Sequence, residues 1–164
     1  MDKDQIFQEV IGQHQGILCK VARLYCQTDE DRKDLVQEML FQLWRSFDKY
    51  DDRFKYSTWI YRIALNVAIS FYRKSSAKKE QTATIEEAEN IVILPESNET
   101  DSRLMLLEKF ISELKELDKA LIMLYLEEKS HQEISEILGL STSNVATKVG
   151  RIKEKLKQRF AEQK

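Results

Sequence analysis

Two groups of side chains in this sequence have the types and spacing that bind nucleic acid. Arg62, Asn66 and Arg73 stand at i, i+4 and i+11 of one segment, so a helix would align them in a single stripe. Aromatic residues lie around the start of this stripe: Phe54, Tyr56, Trp59 and Tyr61. Rings stack on unpaired bases while cations hold phosphates, which suits melted or single-stranded nucleic acid. The alternative is a core role, which we expect for Trp59 and Phe71, whereas we expect a binding role for Asn66 and Arg73.

The second group lies near the end of the chain. Ser130-His131-Gln132-Glu133 has the form of a capping box, Gly139 suits a left-handed turn, and Ser141 can cap the next helix. Apolar residues recur along that helix at Val145, Val149, Ile152 and Leu156. Its opposite face carries small polar and basic side chains: Ser143, Asn144, Thr147, Lys148 and Arg151. This pattern predicts a DNA-reading helix-turn-helix, although a helical hairpin with a solvated polar face would have the same shape.

The charges are distributed unevenly along the chain. The net charge is −2, which argues against a protein that coats nucleic acid on its own. Residues 53–79 nevertheless contain seven basic residues and no acid, and residues 141–164 contain seven basic residues against two acids. Residues 80–99 carry six acids and no base. Two basic tracts separated by an acidic stretch favour two separate nucleic-acid contacts.

The composition predicts an all-α protein. Only one proline and four glycines occur among 164 residues, and hydrophobic residues make up 42%. We expect a cytoplasmic protein, since no apolar run approaches a membrane span and the N-terminus lacks a signal-peptide pattern. Cys19 and Cys26 are expected to be reduced and near one face of a helix. Metal-ligand spacing, phosphate loops and nucleophile–base pairs are absent from the sequence, so we expect no metal, no cofactor and no enzymatic activity.

The elements that must position these residues fall into two sets. Hydrophobic periodicity predicts helices over about 5–26, 28–47 and 57–74, and then over 101–117, 118–126, 130–138 and 141–160. A stretch of about 25 residues between the sets lacks periodicity and is too long for a loop inside a compact domain. The prediction is two small helical domains, 1–75 and 101–164, joined by a flexible acidic linker over 76–100.

Several segments together resemble a known family. Asp34-Leu35-Val36-Gln37-Glu38 with Leu43-Trp44 is similar to the polymerase-binding helix of bacterial sigma factors of the extracytoplasmic-function group. The segment 57–69 with Tyr72-Arg73-Lys74 resembles their promoter-melting and −10 recognition helix. Residues 121–126 and 130–155 resemble their −35 recognition domain. The resemblance covers nearly the whole chain in the family's order.

The resemblance implies a function and a set of partners. A sigma factor binds core RNA polymerase, through the β′ coiled coil and the β flap, and directs transcription initiation at promoter DNA. The family also implies an anti-sigma factor that holds it inactive. In this sequence the implied polymerase-binding residues are Asp34, Leu35, Gln37, Glu38 and Trp44.

The promoter-binding residues are likewise implied by position. The loop 51–55 would receive a flipped base, and the −10 set would be Asp52, Arg53, Lys55, Arg62, Asn66, Arg73 and Lys74. The −35 set would be Ser143, Asn144, Thr147, Lys148, Arg151 and Lys155, with Lys153 and Lys155 nearer the DNA backbone.

Two other functions remain open at this point. A helix-turn-helix regulator that does not replace the sigma factor would explain residues 130–155, but it leaves the 34–38 segment and the 57–74 helix unexplained. A helical adaptor with no role in nucleic-acid binding would treat both basic tracts as solvated faces.

Overall fold

The computed structural model describes residues 2–81 and 99–162. This part of the chain is helical, with no strand, which confirms the all-α prediction. The helices are α1 (Lys3–Gln13), α2 (Gln15–Tyr25), α3 (Asp29–Ser46), α4 (Tyr56–Gln81), α5 (Glu99–Ser112), α6 (Glu116–Leu126), α7 (His131–Leu138) and α8 (Thr142–Glu162), with a 3-10 turn at Phe47–Lys49. We call α1–α4 the N-terminal bundle and α5–α8 the C-terminal bundle.

The first predicted helix, 5–26, is in fact two helices. The break falls at His14, whose ring Nδ1 hydrogen-bonds the carbonyl oxygen of Val10 at 2.9 Å. In a continuous helix the amide of His14 would take that carbonyl, but here it donates to Ile11 instead. Helix α1, before the break, contacts α3 through the ring of Phe7, which lies 5.1 Å from that of Trp44. A side chain competing for a backbone acceptor leaves no mark in hydrophobic periodicity.

The core of the N-terminal bundle lies between α2, α3 and α4. Its fully buried members recur at helical spacing: Val21, Leu35, Met39, Leu43, Ile60, Ala64 and Ala68. Thr28 caps α3 as predicted, since its hydroxyl accepts from the amide of Asp31 at 3.1 Å. Cys19 is exposed whereas Cys26 is buried, so the two cysteines do not share an environment.

Helix α4 is longer than predicted. It begins at Tyr56 and continues to Gln81, beyond the expected end near Lys74. The first residues assigned to the linker therefore continue the helix that carries the basic stripe. Most of the predicted linker, residues 82–98, lies outside the described residues.

The C-terminal bundle follows the predicted helix-turn-helix closely. Ser130 accepts from the amide of Glu133 at 3.1 Å, and Gly139 ends α7 with φ 73° in the left-handed region. Ser141 accepts from the amide of Asn144 at 3.1 Å at the start of α8. The predicted apolar stripe of α8 is buried throughout: Val145, Val149, Ile152 and Leu156. Leu104 of α5 is 53% exposed and lies outside the core.

The two bundles touch each other. Helix α4 packs against α6 and α7, so the helix with the basic stripe is also the helix that contacts the helix-turn-helix domain.

Candidate nucleic-acid and polymerase interfaces

The polar face of α8 is available to a ligand. Ser143, Asn144, Thr147, Arg151 and Lys155 are exposed, and Lys148 is half-buried. The Thr147 hydroxyl donates to the carbonyl oxygen of Ser143 at 3.0 Å, which orients it along the helix. The apolar stripe on the other side of α8 is buried in the bundle, so the helix can present only this polar face. Five of the six predicted −35 residues therefore lie together on one accessible surface.

Lys153 does not belong to that surface. Its ammonium group donates to the hydroxyl of Tyr125 at 2.9 Å and lies 4.7 Å from the centre of the same ring. The sequence prediction placed Lys153 near the DNA backbone. Instead it joins α8 to α6 inside the C-terminal bundle, because its position on α8 turns it towards the neighbouring helix.

The loop before α4 borders a cavity of about 210 Å³. Aromatic and polar side chains line it: Lys49, Asp51, Phe54, Thr58, Trp59, Arg62 and Ile63. Rings of this kind offer a stacking surface for an unpaired base. Trp59 is buried as predicted and is one of the residues that line the cavity.

Charges at this loop are partly neutralised. Arg53 makes a two-pronged ion pair with Asp51, the closest approach being 2.7 Å from Nη2 to Oδ2. The hydrogen bonds from Arg53 lower the pKa of the Asp51 carboxyl. Asp52 and Lys55 are exposed. Among the loop residues predicted to contact the −10 element, Arg53 is therefore already paired with a neighbouring carboxylate.

The stripe residues on α4 are exposed, although Arg62 and Arg73 also donate hydrogen bonds to the C-terminal bundle. Arg62, Asn66, Arg73 and Lys74 all lie on the surface, and Arg62 also lines the cavity beside Phe54, 5.3 Å from its ring. The structure therefore brings the predicted −10 residues of α4 and the cavity into one continuous surface.

The predicted polymerase-binding set on α3 divides into exposed and buried members. Asp34, Gln37 and Glu38 are exposed. Leu35 is wholly buried in the core, so its assignment as a direct contact is wrong and its role is to anchor α3. Trp44 is half-buried: Phe7 packs against its ring at 5.1 Å, and the ammonium of Lys3 lies 4.2 Å from it.

The exposed apolar residue of this face is Phe41. It is 53% exposed, and the guanidinium of Arg45 lies 5.6 Å from its ring. Asp34, Phe41 and Arg45 stand at i, i+7 and i+11, so they share one side of α3 with Glu38. Phe41 was not among the predicted residues. Its spacing places it on the side of α3 opposite the buried stripe of Leu35, Met39 and Leu43, and this spacing is visible in the sequence.

The described residues were also compared with the requirements for a membrane span and for a metal site. Within 2–81 and 99–162, no helix is long and apolar enough to cross a membrane. Across the same ranges, no three His, Cys, Asp or Glu side chains gather as ligands for a metal ion.

Comparison with known proteins decides between the functions left open above. The family model for Sigma-70 region 2 matches residues 10–78, and the model for Sigma-70, region 4 matches residues 104–156. The chain belongs to the extracytoplasmic-function group of RNA polymerase sigma factors. The first match covers α3 and α4, which the hypothesis of an ordinary helix-turn-helix regulator leaves unexplained. The hypothesis of a helical adaptor explains neither match.

A relative of similar sequence agrees with this assignment, and two solved structures share the fold. The chain is 28% identical over 141 residues to the ECF RNA polymerase sigma factor SigW of Bacillus subtilis, covering 79% of this chain and 75% of SigW. Its fold is similar to that of CnrH in complex with the cytosolic domain of CnrY, with a TM-score of 0.71, 20% identity and coverage of 99% and 92% of the two chains. It is also similar to the sigma factor RpoE in complex with the anti-sigma factor NepR from Bartonella quintana, with a TM-score of 0.69, 17% identity and coverage of 94% and 96%.

Membership of this family establishes the function at the level of the whole protein. The chain is a sigma factor that binds core RNA polymerase and directs promoter-specific transcription initiation. Sigma factors are regulatory proteins, and the two matched regions correspond to the two helical bundles.

Proposed function

We propose that the exposed side of α3 binds core RNA polymerase. Asp34, Gln37 and Glu38 offer acids and an amide, and Phe41 offers an apolar ring at the centre of the same side. An aromatic residue surrounded by polar groups is the usual composition of an energetically dominant contact. The β′ coiled coil is the partner proposed for this surface, and the β flap is the partner proposed for the C-terminal bundle.

The −10 element is proposed to bind the α4 stripe and the cavity beside it. Exposed Asn66 would contact a base of the melted strand, while Arg62, Arg73 and Lys74 hold phosphates. Phe54 and Trp59 line the cavity into which a base could turn. The observation that carries this proposal is the continuity of the basic stripe with an aromatic-lined cavity, because melted DNA needs both cations and rings.

The −35 element is proposed to bind the polar face of α8. Ser143, Asn144 and Thr147 lie in its first turns, the part of a recognition helix that approaches base edges. Arg151 can form a bidentate contact with a guanine, and Lys155 lies further along, where a phosphate contact is expected.

The weak overall charge fits a factor that acts only on the polymerase. Each bundle offers few phosphate contacts, so each alone binds DNA poorly. Holding both on one polymerase raises the effective concentration of each at its own promoter element. We propose a cytoplasmic, non-catalytic protein, under the control of an anti-sigma factor. The support for such control is that two proteins of the same fold, CnrH and RpoE, have been solved with CnrY and NepR bound.

Run-off transcription tests the proposal. Core RNA polymerase would be supplied with a pool of genomic promoter fragments, with and without this protein. We expect discrete new transcripts that disappear with Asn66→Ala or Arg151→Ala. Lys157→Ala, an exposed change further along α8, is the matched control and should leave the transcripts in place. Unchanged transcripts from both Asn66→Ala and Arg151→Ala would reject these two surfaces as the promoter contacts.

A further inference from the structure

A tyrosine beside the cavity of the N-terminal bundle contacts both Phe54 and Trp59, the aromatic residues that line it. Tyr50 follows the 3-10 turn, is half-buried and is not among the lining residues. Its ring centre lies 5.5 Å from that of Trp59, in an edge-to-face arrangement. Its hydroxyl donates to the backbone carbonyl of Phe54. Tyr50 therefore links the two aromatic residues of the proposed base site.

The ring of Tyr50 is itself anchored on the start of α4. It stacks on the ring of Tyr56, with the ring centres 4.3 Å apart and the planes 16° from parallel. Stacked and edge-to-face ring pairs are favourable beyond the area that they bury, and Tyr50 makes one of each. Tyr56 is the first residue of α4, so this stack fixes Tyr50 against the helix that carries the basic stripe.

The hydroxyl of Tyr50 completes a set of hydrogen bonds within the loop 51–55. The amide of Phe54 donates to the carbonyl of Asp51 at 3.1 Å, which is the hydrogen bond of a β-turn. The amide of Arg53 donates to the Asp51 carboxylate at 3.0 Å. Burial, followed by the neighbouring Tyr56 and two acids, raises the pKa of the Tyr50 hydroxyl, which therefore keeps its proton and can donate at neutral pH.

The other side chains of this loop restrain it weakly. Asp52, Arg53 and Lys55 are exposed, and the guanidinium of Arg53 turns back to its own loop. Exposed ion pairs of this kind contribute little. The ring of Phe54 lies 5.3 Å from the guanidinium of Arg62, a cation that is also proposed to hold a phosphate. The Tyr50 hydroxyl restrains Phe54 without using a group that DNA would bind.

A base that turns out of a strand is bound most tightly when its stacking surface is already in place. Ordering a loop at the moment of binding costs free energy, and that cost is subtracted from the affinity. Supporting residues that hold a site within about 0.5 Å of its binding geometry avoid this cost. The contacts of Tyr50 are those of such a supporting residue.

We propose that Tyr50 is a positioning residue for the −10 element. It holds the loop 51–55, and with it the ring of Phe54, in the arrangement that receives the unpaired base, and it does so without contacting DNA. This inference rests on the proposed role of the cavity in binding the −10 element.

Amide hydrogen exchange of the free, full-length chain tests whether Tyr50 holds the loop. Tyr50→Phe keeps the ring on Tyr56 and removes the hydroxyl. We expect the amides of Arg53 and Phe54 to exchange roughly threefold faster or more in Tyr50→Phe, and faster still in Tyr50→Ala. Tyr125→Phe removes the hydroxyl of a half-buried tyrosine in the C-terminal bundle and should leave these rates unchanged. Circular dichroism checks that each variant is folded.

An abasic strand tests whether the loop is held for a base. The probe is a fluorescent, single-stranded non-template −10 oligonucleotide from a promoter that the run-off assay identifies, bound to the holoenzyme. An abasic scan finds the position whose base contributes most to binding by the unsubstituted protein. We expect Tyr50→Ala to weaken binding of the complete strand about tenfold, and Tyr50→Phe about threefold. Binding of the strand that is abasic at that position should weaken less than about twofold with either variant, because no base is left to position.

Lys74→Ala is the comparison within the same surface. Lys74 is exposed on α4 outside the cavity and is proposed to hold a phosphate. Its loss should weaken binding of the complete and the abasic strands by the same factor, since a phosphate contact does not depend on the base.

Two results would overturn the inference. One is unchanged amide exchange in the loop of both Tyr50 variants, and the other is a Tyr50→Ala loss that is absent or is equal on the complete and abasic strands. An abasic scan in which no position affects the unsubstituted holoenzyme would instead reject the proposed base site, and the inference with it. Amide exchange is measured without any promoter, so the two failures are distinguishable.

Discussion

The ammonium group of Lys119 lies 4.4 Å from the ring centre of Tyr72, which belongs to the opposite bundle. Burial lowers the pKa of Lys119, while the nearby carboxylate of Glu116 acts in the opposite direction. A buried lysine is costly unless its charge is compensated, so the two rings and that carboxylate have to stay in place while the bundles are in contact. Tyr25, Tyr72 and Glu116, which surround this lysine, are not among the residues proposed to bind promoter or polymerase.

Alkaline pH should weaken the structure through Tyr61. Burial, and then the charge of Glu127, raise the pKa of Tyr61 to about 12 from its usual 10. The unfolded chain loses this proton first, so the stabilisation is complete below pH 10 and falls between pH 10 and 12. We expect a loss on the order of 1 kcal/mol in the free energy of unfolding, measured by urea titration at each pH.

Tyr61→Phe keeps the ring and removes the titrating hydroxyl. It should reduce the alkaline loss in part, since burial also raises the pKa of Tyr25. An equally steep loss in Tyr61→Phe would show that Tyr61 is not its source.

Phe41 and Leu35 should respond in opposite ways to truncation. Phe41→Ala removes an exposed ring and should weaken binding to core polymerase by roughly tenfold or more, with little change in melting temperature. Leu35→Ala removes a wholly buried side chain and should cost about 2–5 kcal/mol of folding stability. Titration of labelled sigma factor against core polymerase and thermal melting measure the two effects. Gln8→Ala, an exposed truncation on α1 outside the proposed interfaces, is the control, and an equal loss of affinity there would remove the special role of Phe41.

Replacing two glycines of the helix-turn-helix by alanine should change the folding stability in opposite directions. At Gly139 the backbone has φ 73°, so Gly139→Ala should cost about 1–2 kcal/mol even though an added methyl group meets nothing within 4 Å. Gly150 lies inside α8, also with open space around it, so Gly150→Ala should stabilise the helix by up to about 1 kcal/mol. Chemical denaturation compares the pair. Destabilisation by both substitutions would mean that crowding, and not backbone conformation, limits these positions.

Arg151 and Lys155 should affect −35 recognition differently. Loss of a base contact in Arg151→Ala should cost about 1–3 kcal/mol and relax specificity at one position. Loss of a phosphate contact in Lys155→Ala should weaken all sequences alike and reduce the slope of log affinity against log salt by about 1. Holoenzyme binding to a set of −35 variants at several salt concentrations distinguishes the two. A uniform loss with Arg151→Ala would place that side chain on the DNA backbone.

Helical periodicity and capping predicted much of this molecule because they are local properties. The caps at Thr28, Ser130 and Ser141 and the turn at Gly139 depend on residues a few positions apart, and each forms as expected. The same periodicity also distinguishes Leu35, which faces the core, from Phe41, which faces solvent. The assignments of individual residues to −10, −35 and polymerase contacts remain predictions.

Other features depend on partners distant in sequence and could not be predicted. Lys153 meets Tyr125 across two helices, and the His14 break follows from one ring nitrogen competing for a carbonyl. Lys119 is an ordinary lysine in the sequence, and it becomes a buried one only because α4 packs against α6.

The bond from Arg62 to Glu136 ends on a main-chain carbonyl, so no side-chain substitution at Glu136 removes its acceptor. The side chain through which this link can be altered is Arg62 itself, which is also proposed to hold promoter DNA. A substitution at Arg62 would therefore change the contact between the bundles and the proposed promoter contact together. Glu116 is outside the proposed promoter-binding set, so a substitution there would alter the contact between the bundles without removing a proposed promoter-binding side chain.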